Sequence, residues 1–442
     1  MQIDQLAHGL ADLNGGNATN ISGLTADSRS VQPGFLFAAL KGAATDGVRF
    51  SRNAVEAGAT AILCASDAVD EVRAQAGGNV SILTSDEPRR AFALMAARFH
   101  GDQPKTMVAV TGTSGKTSVA HFVRQIFHAA GHSAASLGTL GTVTDAGLVY
   151  GGLTTPDPVS LHKELARLSV EKITHAALEA SSHGLDQHRL DGVRLVAAGF
   201  TNLGRDHMDY HPTVEDYLAA KLRLFEVLLP AGGTVVVDPG EEYADRVLAV
   251  AEKRNLPVIT VGETGKDLKL RSLSATSGGQ VLTIETPRGE YTVTLPLIGR
   301  FQVSNALIAA GLAIAAGEEV GKALRALEDL KGAPGRLEFA GRTVTGGTVY
   351  IDYAHKPDAL ENALAALRPF AEGRLAVVIG AGGDRDPGKR ELMGRAAQEK
   401  ADLVIVTDDN PRTEDPAKIR QAVLAGAPGA MEIADRMEAI RE

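Results

Sequence analysis

The chain has 442 residues, 44% hydrophobic and 22% charged, with a net charge of −9 at neutral pH. That length holds two or three domains, each able to bury its own core, and the acidic balance argues against broad nucleic-acid or anionic-membrane binding. The single cysteine, Cys64, lies in an apolar run and allows no internal disulfide, and neither a secretory nor a membrane-spanning pattern is read, so the cytoplasm is the expected compartment.

Residues 1–102 alternate strand-like and helix-like runs. Strands are expected over 34–40, 60–64 and 80–84, and helices over 50–57, ended by Gly58, and over 91–100. A short polar stretch with a proline, 100–104, reads as a linker. Residues 103–332 open on an apolar strand and a glycine-rich loop, followed by strands over 174–179, 195–201, 234–238 and 257–261 with helices between them. Such alternation predicts a mainly parallel sheet covered on both faces. Hairpin strands over 281–286 and 291–295 interrupt it, and a helix over 303–316 follows. Past a Gly-Pro-Gly boundary near 332–335 the alternation resumes: strand 349–353, helix 357–367, strand 375–379, helix 390–400, strand 403–407 and helix 417–424. The fold class is therefore α/β with three domains: 1–102, a central P-loop parallel-sheet domain over 103–332, and a C-terminal Rossmann-like doubly wound domain over 333–442. The last residues, 435–442, read as a helix just beginning, so a C-terminal continuation is expected.

The chemistry centres on Thr111, Gly112, Thr113, Ser114, Gly115, Lys116, Thr117 and Ser118. A strand, a glycine loop and a helix N-terminus together aim backbone N–H groups and the positive end of a helix dipole at one point, which is an anion site. Lys116 adds a point charge for phosphate oxygens and the Thr117 hydroxyl suits magnesium. The usual phosphate-loop pattern wants a glycine where Val110 stands, with Gly112 present instead, so this is a variant nucleotide loop.

Glu179 ends a strand predicted to lie beside the loop's own, where a magnesium ligand or a solvated strand-end carboxylate are the two readings. The run 201–211 holds His207 and His211 with two aspartates and reads either as a metal site or as a polar loop. Lys221, alone in a helix-like run, reads as a surface lysine. In the third segment Asp352 to Asp358 and Asp408 to Arg412 follow strand ends, as does Asp384-Arg385-Asp386. Arg385 and Arg412 could grip a ligand carboxylate bidentately or pair with neighbouring aspartates. A dinucleotide fingerprint over 380–385 fails because Arg385 occupies its third glycine position.

These motifs, with Ala26-Asp27-Ser28-Arg29 and Thr154-Thr155-Pro156-Asp157, fall in an order that closely resembles the Mur ligase family of ATP-dependent amide-bond-forming enzymes, whose loop begins Thr-Gly-Thr. The resemblance covers the whole chain. It implies an N-terminal domain for the UDP end of the substrate, a central ATPase domain, and a C-terminal domain for the incoming amino acid. It implies that Ser28 meets the uridine, that Thr154, Thr155, Ser181, Gln187 and Arg189 hold a muramoyl dipeptide, and that Asn305, Arg336, Asp352 and His355 position ATP. Lys221 matches a lysine carbamylated in the family, and Thr117, Glu179, His207 and Lys221 are the implied Mg2+ contacts, with Lys116, Glu179, His207 and Lys221 catalytic. Carbamylation requires a neutral amine, which nearby cationic charge favours. Asp409, Asn410 and Arg412, with Arg385, resemble the type that adds meso-diaminopimelate to UDP-N-acetylmuramoyl-L-alanyl-D-glutamate through an acyl phosphate, in peptidoglycan precursor synthesis. An L-lysine-adding homologue and a folylpolyglutamate synthase-like ligase are the alternatives. The resemblance further implies a C-terminal Gly-Lys-Gly-His-Glu stretch beyond Glu442, and a monomer is expected. A GTPase-like switch would need a guanine-specifying Asn-Lys-x-Asp loop, and a structural scaffold would not need these charged groups together.

Overall fold

The computed structural model describes every residue except 16–18, 43–44, 79, 205, 209, 277 and 385. It forms two compact units, Met1–Lys269 with Leu307–Ala326, and Leu270–Ala306 with Leu327–Glu442.

The first unit contains two sheets. In the N-terminal one, β1 (Asp12–Leu13), β2 (Gly23–Thr25), β3 (Phe35–Ala38), β4 (Ala61–Ala65) and β5 (Ser81–Ser85) run in the order β1-β5-β4-β3-β2, parallel except for β1. Alternation along the strands splits their side chains between two cores. Leu36, Leu63 and Leu83 pack with α1 (Ile3–Ala7) and α4 (Pro88–His100), while Phe37, Ile62 and Ile82 pack with α2 (Ser51–Glu56) and α3 (Val69–Ala76). Cys64 belongs to the second core, where burial first and Asp67 second push its thiol up to about 11; it behaves as a small hydrophobe.

The expected linker is tethered. After Gly101 turns the chain in a left-handed conformation, the Gln103 side chain donates to the Gly192 carbonyl at 2.8 Å and accepts from the Arg194 N–H at 3.0 Å.

The central sheet holds β6 (Thr106–Thr111), β7 (Ala134–Gly138), β8 (Gly141–Thr144), β9 (Gly147–Val149), β10 (His175–Glu179), β11 (Leu195–Phe200), β12 (Thr234–Val237) and β13 (Val258–Gly262), ordered β13-β12-β11-β6-β10-β7-β8-β9. The first six positions in that order, from β13 to β7, are parallel; β8 and β9 form an antiparallel extension that sequence reading missed. α5 (Lys116–Ala129), α6 (Pro158–Val170), α7 (Ser182–Asp186), α8 (Val214–Arg223) and α9 (Ala244–Lys253) connect the strands, and the C-terminal half of α10 (Arg300–Ala315) and α11 (Val320–Arg325) complete the unit. From Met107 to Val110, β6 is apolar and buried, as a central parallel strand covered on both faces must be. Its two neighbours, β10 and β11, continue the sheet in opposite directions. The carboxyl end of β6 is thus a topological switch point, where ligands bind in open α/β sheets.

In the second unit β14 (Leu268–Thr276), which starts in the first, leads into an antiparallel hairpin of β15 (Gly279–Thr286) and β16 (Gly289–Leu295). The expected strand over 349–353 is β18 (Thr348–Ile351), and it pairs antiparallel with β17 (Glu338–Arg342) in a two-stranded ribbon with a register shift at Gly341. Val349 and Ile351 are exposed, which suits a ribbon and not a strand buried between helices. α12 (Pro357–Leu367), β19 (Ala376–Ile379), α13 (Gly388–Lys400), β20 (Leu403–Val406), α14 (Pro416–Leu424), β21 (Met431–Glu432) and α15 (Arg436–Arg441) follow, with a parallel sheet ordered β19-β20-β21.

Replacing the tether, Gln103→Ala, leaves two part-buried backbone groups without partners and is expected to lower stability by roughly 1–3 kcal/mol. A denaturation midpoint, followed by circular dichroism, equal to that of the unaltered chain would show that the tether contributes nothing.

Candidate nucleotide and metal site

The loop after β6 is built as its residue types require. Gly112 has φ 147°, and a Cβ there would lie 1.9 Å from the Thr201 Oγ1. Gly115, at φ 88° and ψ −18°, sits in the left-handed region as the N-cap of α5. Neighbouring segments pin the loop: Thr111 Oγ1 donates to the Ala180 carbonyl at 2.8 Å, Thr113 N–H to the Asn202 carbonyl at 2.9 Å, and Ser114 N–H to Asn202 Oδ1 at 3.0 Å. The Thr201 hydroxyl donates to the Ser114 carbonyl at 2.6 Å. Ser118 is buried in the first turn of the helix.

Two amines meet one carbonyl. Lys116 Nζ donates to Gly112 O at 2.8 Å and to Thr113 O at 3.0 Å, and Lys221 Nζ donates to the same Gly112 O at 2.8 Å. Lys221 is 1% exposed, so the surface reading of this lysine is overturned: α8 aims it inward, over the Tyr217 ring at 4.3 Å from its centre. Burial first, and the Lys116 charge second, hold its amine well below the ordinary lysine value, against the pull of Asp206.

Glu179 is likewise 2% exposed and is not a solvated strand end. Its carboxylate accepts from Thr117 Oγ1 at 3.0 Å, from the Thr139 N–H at 2.8 Å and from Thr139 Oγ1 at 3.2 Å. Burial pushes this carboxyl above its usual range, opposed by the Lys116 charge and these hydrogen bonds. A buried carboxylate beside a hydroxyl and short of compensating charge fits a hard dication. Thr139 was not anticipated; it lies in the missed β7–β8 turn, and the only signal was the neighbouring Gly138, where a Cβ would lie 2.0 Å from Glu179 Oε1.

His207 stands at φ 55° on the loop after β11, its ring centre 4.8 Å from His183 and 6.2 Å from the Tyr217 ring that also covers Lys221. His211 is buried against Tyr217, and its Nε2 finds no hydrogen-bond partner among the described residues.

A second network lies beside Glu179. Thr155 Oγ1 donates to the Glu179 carbonyl at 2.9 Å and accepts from the Ser181 N–H at 3.1 Å, while Thr154 and Thr139 hydroxyls are 3.0 Å apart. Arg189 donates to the Thr155 carbonyl at 2.8 Å and grips Gln187 Oε1 at 2.7 Å; Gln187 in turn donates to the Tyr210 hydroxyl at 3.1 Å. The structure thus brings together Thr154, Thr155, Ser181, Gln187 and Arg189. Ser28 lies in the N-terminal sheet's layer, in the turn after β2 that Asp27 caps.

Asn305, Arg336, Asp352 and His355 belong to the second unit. Asn305 is buried and meets Gln302, whose amide donates to the Arg336 carbonyl at 3.1 Å. The Arg336 guanidinium lies over the Tyr353 ring at 5.1 Å, and Asp352 accepts from the Leu337 N–H at 2.7 Å and the Ala354 N–H at 2.8 Å. His355 Nδ1 is 3.1 Å from the Tyr353 carbonyl. Elsewhere in this unit the loops after β19 and β20 pack together: Arg412, at φ 50°, donates to the Gly383 carbonyl at 2.9 Å, and the Asn410 carbonyl accepts from the Gly383 N–H. Asp409 lies 3.9 Å from the Arg436 guanidinium. Arg385 falls outside the described residues.

Comparison with known proteins adds a family to this geometry. Residues 20–100 match the model described as the Mur ligase family catalytic domain, 110–313 the Mur ligase middle domain, and 335–442 the Mur ligase glutamate ligase domain. The UDP-N-acetylmuramoyl-L-alanyl-D-glutamate–2,6-diaminopimelate ligase of Mesorhizobium japonicum is 55% identical over 96% of this chain and 86% of its own length. The protein of the same name from Agrobacterium fabrum is 53% identical over 96% and 85%. A solved structure of a ligase of that name superimposes with a TM-score of 0.73 at 32% identity, covering 95% of this chain and 86% of the other. MurF from Acinetobacter baumannii, at 21% identity and a TM-score of 0.65, shares the fold. With all three family domains matched in order and relatives this similar along nearly its whole length, the chain belongs to the Mur ligase family.

Proposed function

We infer that the chain is an ATP-dependent amide-bond-forming ligase that adds meso-diaminopimelate to UDP-N-acetylmuramoyl-L-alanyl-D-glutamate in peptidoglycan precursor synthesis. The names of relatives at 53–55% identity support the substrates. The observation that carries the chemistry is the convergence of Lys116 and Lys221 on the Gly112 carbonyl, with Glu179 buried behind Thr117. In the reaction the γ-phosphoryl group of ATP passes to the side-chain carboxylate of the D-glutamate, giving an acyl phosphate. The amine of diaminopimelate then attacks the acyl carbon, and phosphate leaves with the C–O bonding pair. The loop N–H groups and the Lys116 ammonium offset charge on the transferring oxygens.

We assign Mg2+ to Thr117, Glu179, His207 and a carbamylated Lys221; the metal supplies positive charge against the phosphates. The neutral Lys221 amine forms a bond to the carbon of CO2 and loses one proton, turning a would-be cation into an oxygen ligand. We assign Ser28 to the uridine, and Thr154, Thr155, Ser181, Gln187 and Arg189 to the muramoyl dipeptide. Asn305, Arg336, Asp352 and His355 are assigned to ATP, and Arg385, Asp409, Asn410 and Arg412 to diaminopimelate. The second carboxylate of diaminopimelate, which lysine lacks, is the group Arg412 would grip. The working form is taken as a cytoplasmic monomer of three domains, 1–102, 103–332 and 333–442.

Phosphate release from ATP and Mg2+ in the presence of the UDP-dipeptide tests the reading: stimulation by meso-diaminopimelate is expected, and stimulation by L-lysine alone would overturn it. Lys116→Ala is expected to lower turnover by at least on the order of 10²–10³ while leaving the circular dichroism spectrum intact; near-normal turnover would remove the loop from catalysis. Arg412→Lys should raise the KM for diaminopimelate roughly 10–100-fold with little change in the KM for ATP. For Lys221, activity should fall in CO2-depleted buffer, most at low pH where the amine is protonated, and return on adding bicarbonate. A Lys221→Arg variant, which has no neutral amine at any working pH, should be inactive with or without bicarbonate.

A further inference from the structure

At the amino-terminal end of the central strands, three ligating side chains from distant parts of the sequence come together. His132 follows α5, His175 opens β10, and Glu318 follows α10, all within the first unit. Their ligating atoms lie within 4.8 Å of one another, and this is the one such group of three found among the described residues. We propose that His132, His175 and Glu318 form a binding site for a transition-metal dication, zinc foremost, separate from the magnesium contacts at the other end of β10.

The hydrogen bonds around the group leave the right lone pairs available. The Thr174 hydroxyl lies 3.2 Å from the Ser133 carbonyl and 2.9 Å from His175 Nδ1; when it donates to the carbonyl, its oxygen accepts from the imidazole. In that arrangement His175 carries its proton on Nδ1 and turns the Nε2 lone pair to a metal, an outer-shell arrangement common to metal-bound histidines. His132 Nε2 is 2.7 Å from Glu318 Oε1, so without metal its proton bridges the two groups. A metal ion replaces that proton and leaves both atoms as ligands. The imidazole rings stack with centres 3.8 Å apart, and the buried Phe127 ring, 4.7 Å from His175, walls the site on one side.

The dimensions are close to those a tetrahedral ion needs. With metal–nitrogen bonds of about 2.1 Å, ligand atoms on one zinc sit roughly 3.4 Å apart. The 2.7 Å pair opens by less than an ångström, the 4.8 Å limit closes by roughly 1.4 Å, and the stacked rings turn until each points a nitrogen in-plane at the ion. Two imidazoles and a carboxylate select zinc, cobalt, nickel or copper over magnesium. The His132 side chain is one-third exposed, which gives the ion a path in. Three protein ligands leave one position for water. Bound there, the ion would clip the exit of α5, the entry of β10 and the segment after α10.

Calorimetric titration of chelator-treated protein with ZnCl2 in excess Mg2+ tests the site. One zinc per chain is expected, with a thermal midpoint that rises as zinc is added and a visible Co2+ spectrum of tetrahedral intensity. His132→Ala and Glu318→Gln should abolish all three, and Thr174→Val should weaken zinc binding on the order of 10–100-fold, whereas Glu179→Gln should leave it unchanged. Should His132→Ala prove unfolded, the near-isosteric Glu318→Gln carries the test. Zinc affinity unaltered by Glu318→Gln, zinc binding lost in Glu179→Gln, or no binding in excess Mg2+ would overturn the proposal.

Discussion

One carbonyl oxygen, that of Gly112, receives two amines that cannot both be comfortable cations. Each nitrogen is 2.8 Å from that oxygen, so they are no further apart than twice that distance. At an effective dielectric constant near 20, two positive charges at such a separation repel by about 3 kcal/mol. The deeper amine yields. Lys221, set over the Tyr217 ring, has its amine held well below the ordinary lysine value, by burial first and by the Lys116 charge second. Unequal burial is what sets the two amines apart.

The sheet makes the crowding possible. Because β10 and β11 flank β6 and diverge, the residues after all three strands converge: the loop from β6, Glu179 and Ser181 from β10, and Thr201 and Asn202 from β11. Each pins the others through backbone carbonyls. The loop thus arrives already shaped, with little reorganisation left for the moment a phosphate enters.

Much of this was legible in the residues, for identifiable reasons. The loop announced itself because glycine, lysine and threonine spacing directly encodes an anion cradle, and the parallel strands did so through unbroken apolar runs. Burial was not legible at isolated charges. Read alone, Lys221 is a surface group and Glu179 either a magnesium ligand or a solvated strand end, because nothing local to a strand end or a helix shows which way it faces until the sheet order is known. Thr139 was invisible for a related reason: its N–H reaches Glu179 only because β7 lies beside β10, a pairing between strands far apart in sequence. The His132, His175 and Glu318 group is a still longer-range product of topology. The strand over 349–353 was correctly placed as a strand, but its partner was not, since an exposed ribbon and a sheet edge leave similar short patterns.

The two vacated Cβ positions carry a practical consequence. At Gly112 any side chain collides with Thr201, and at Gly138 with Glu179 itself. A side chain at either position must displace Thr201 or Glu179, so a substitution there disturbs groups of the site itself.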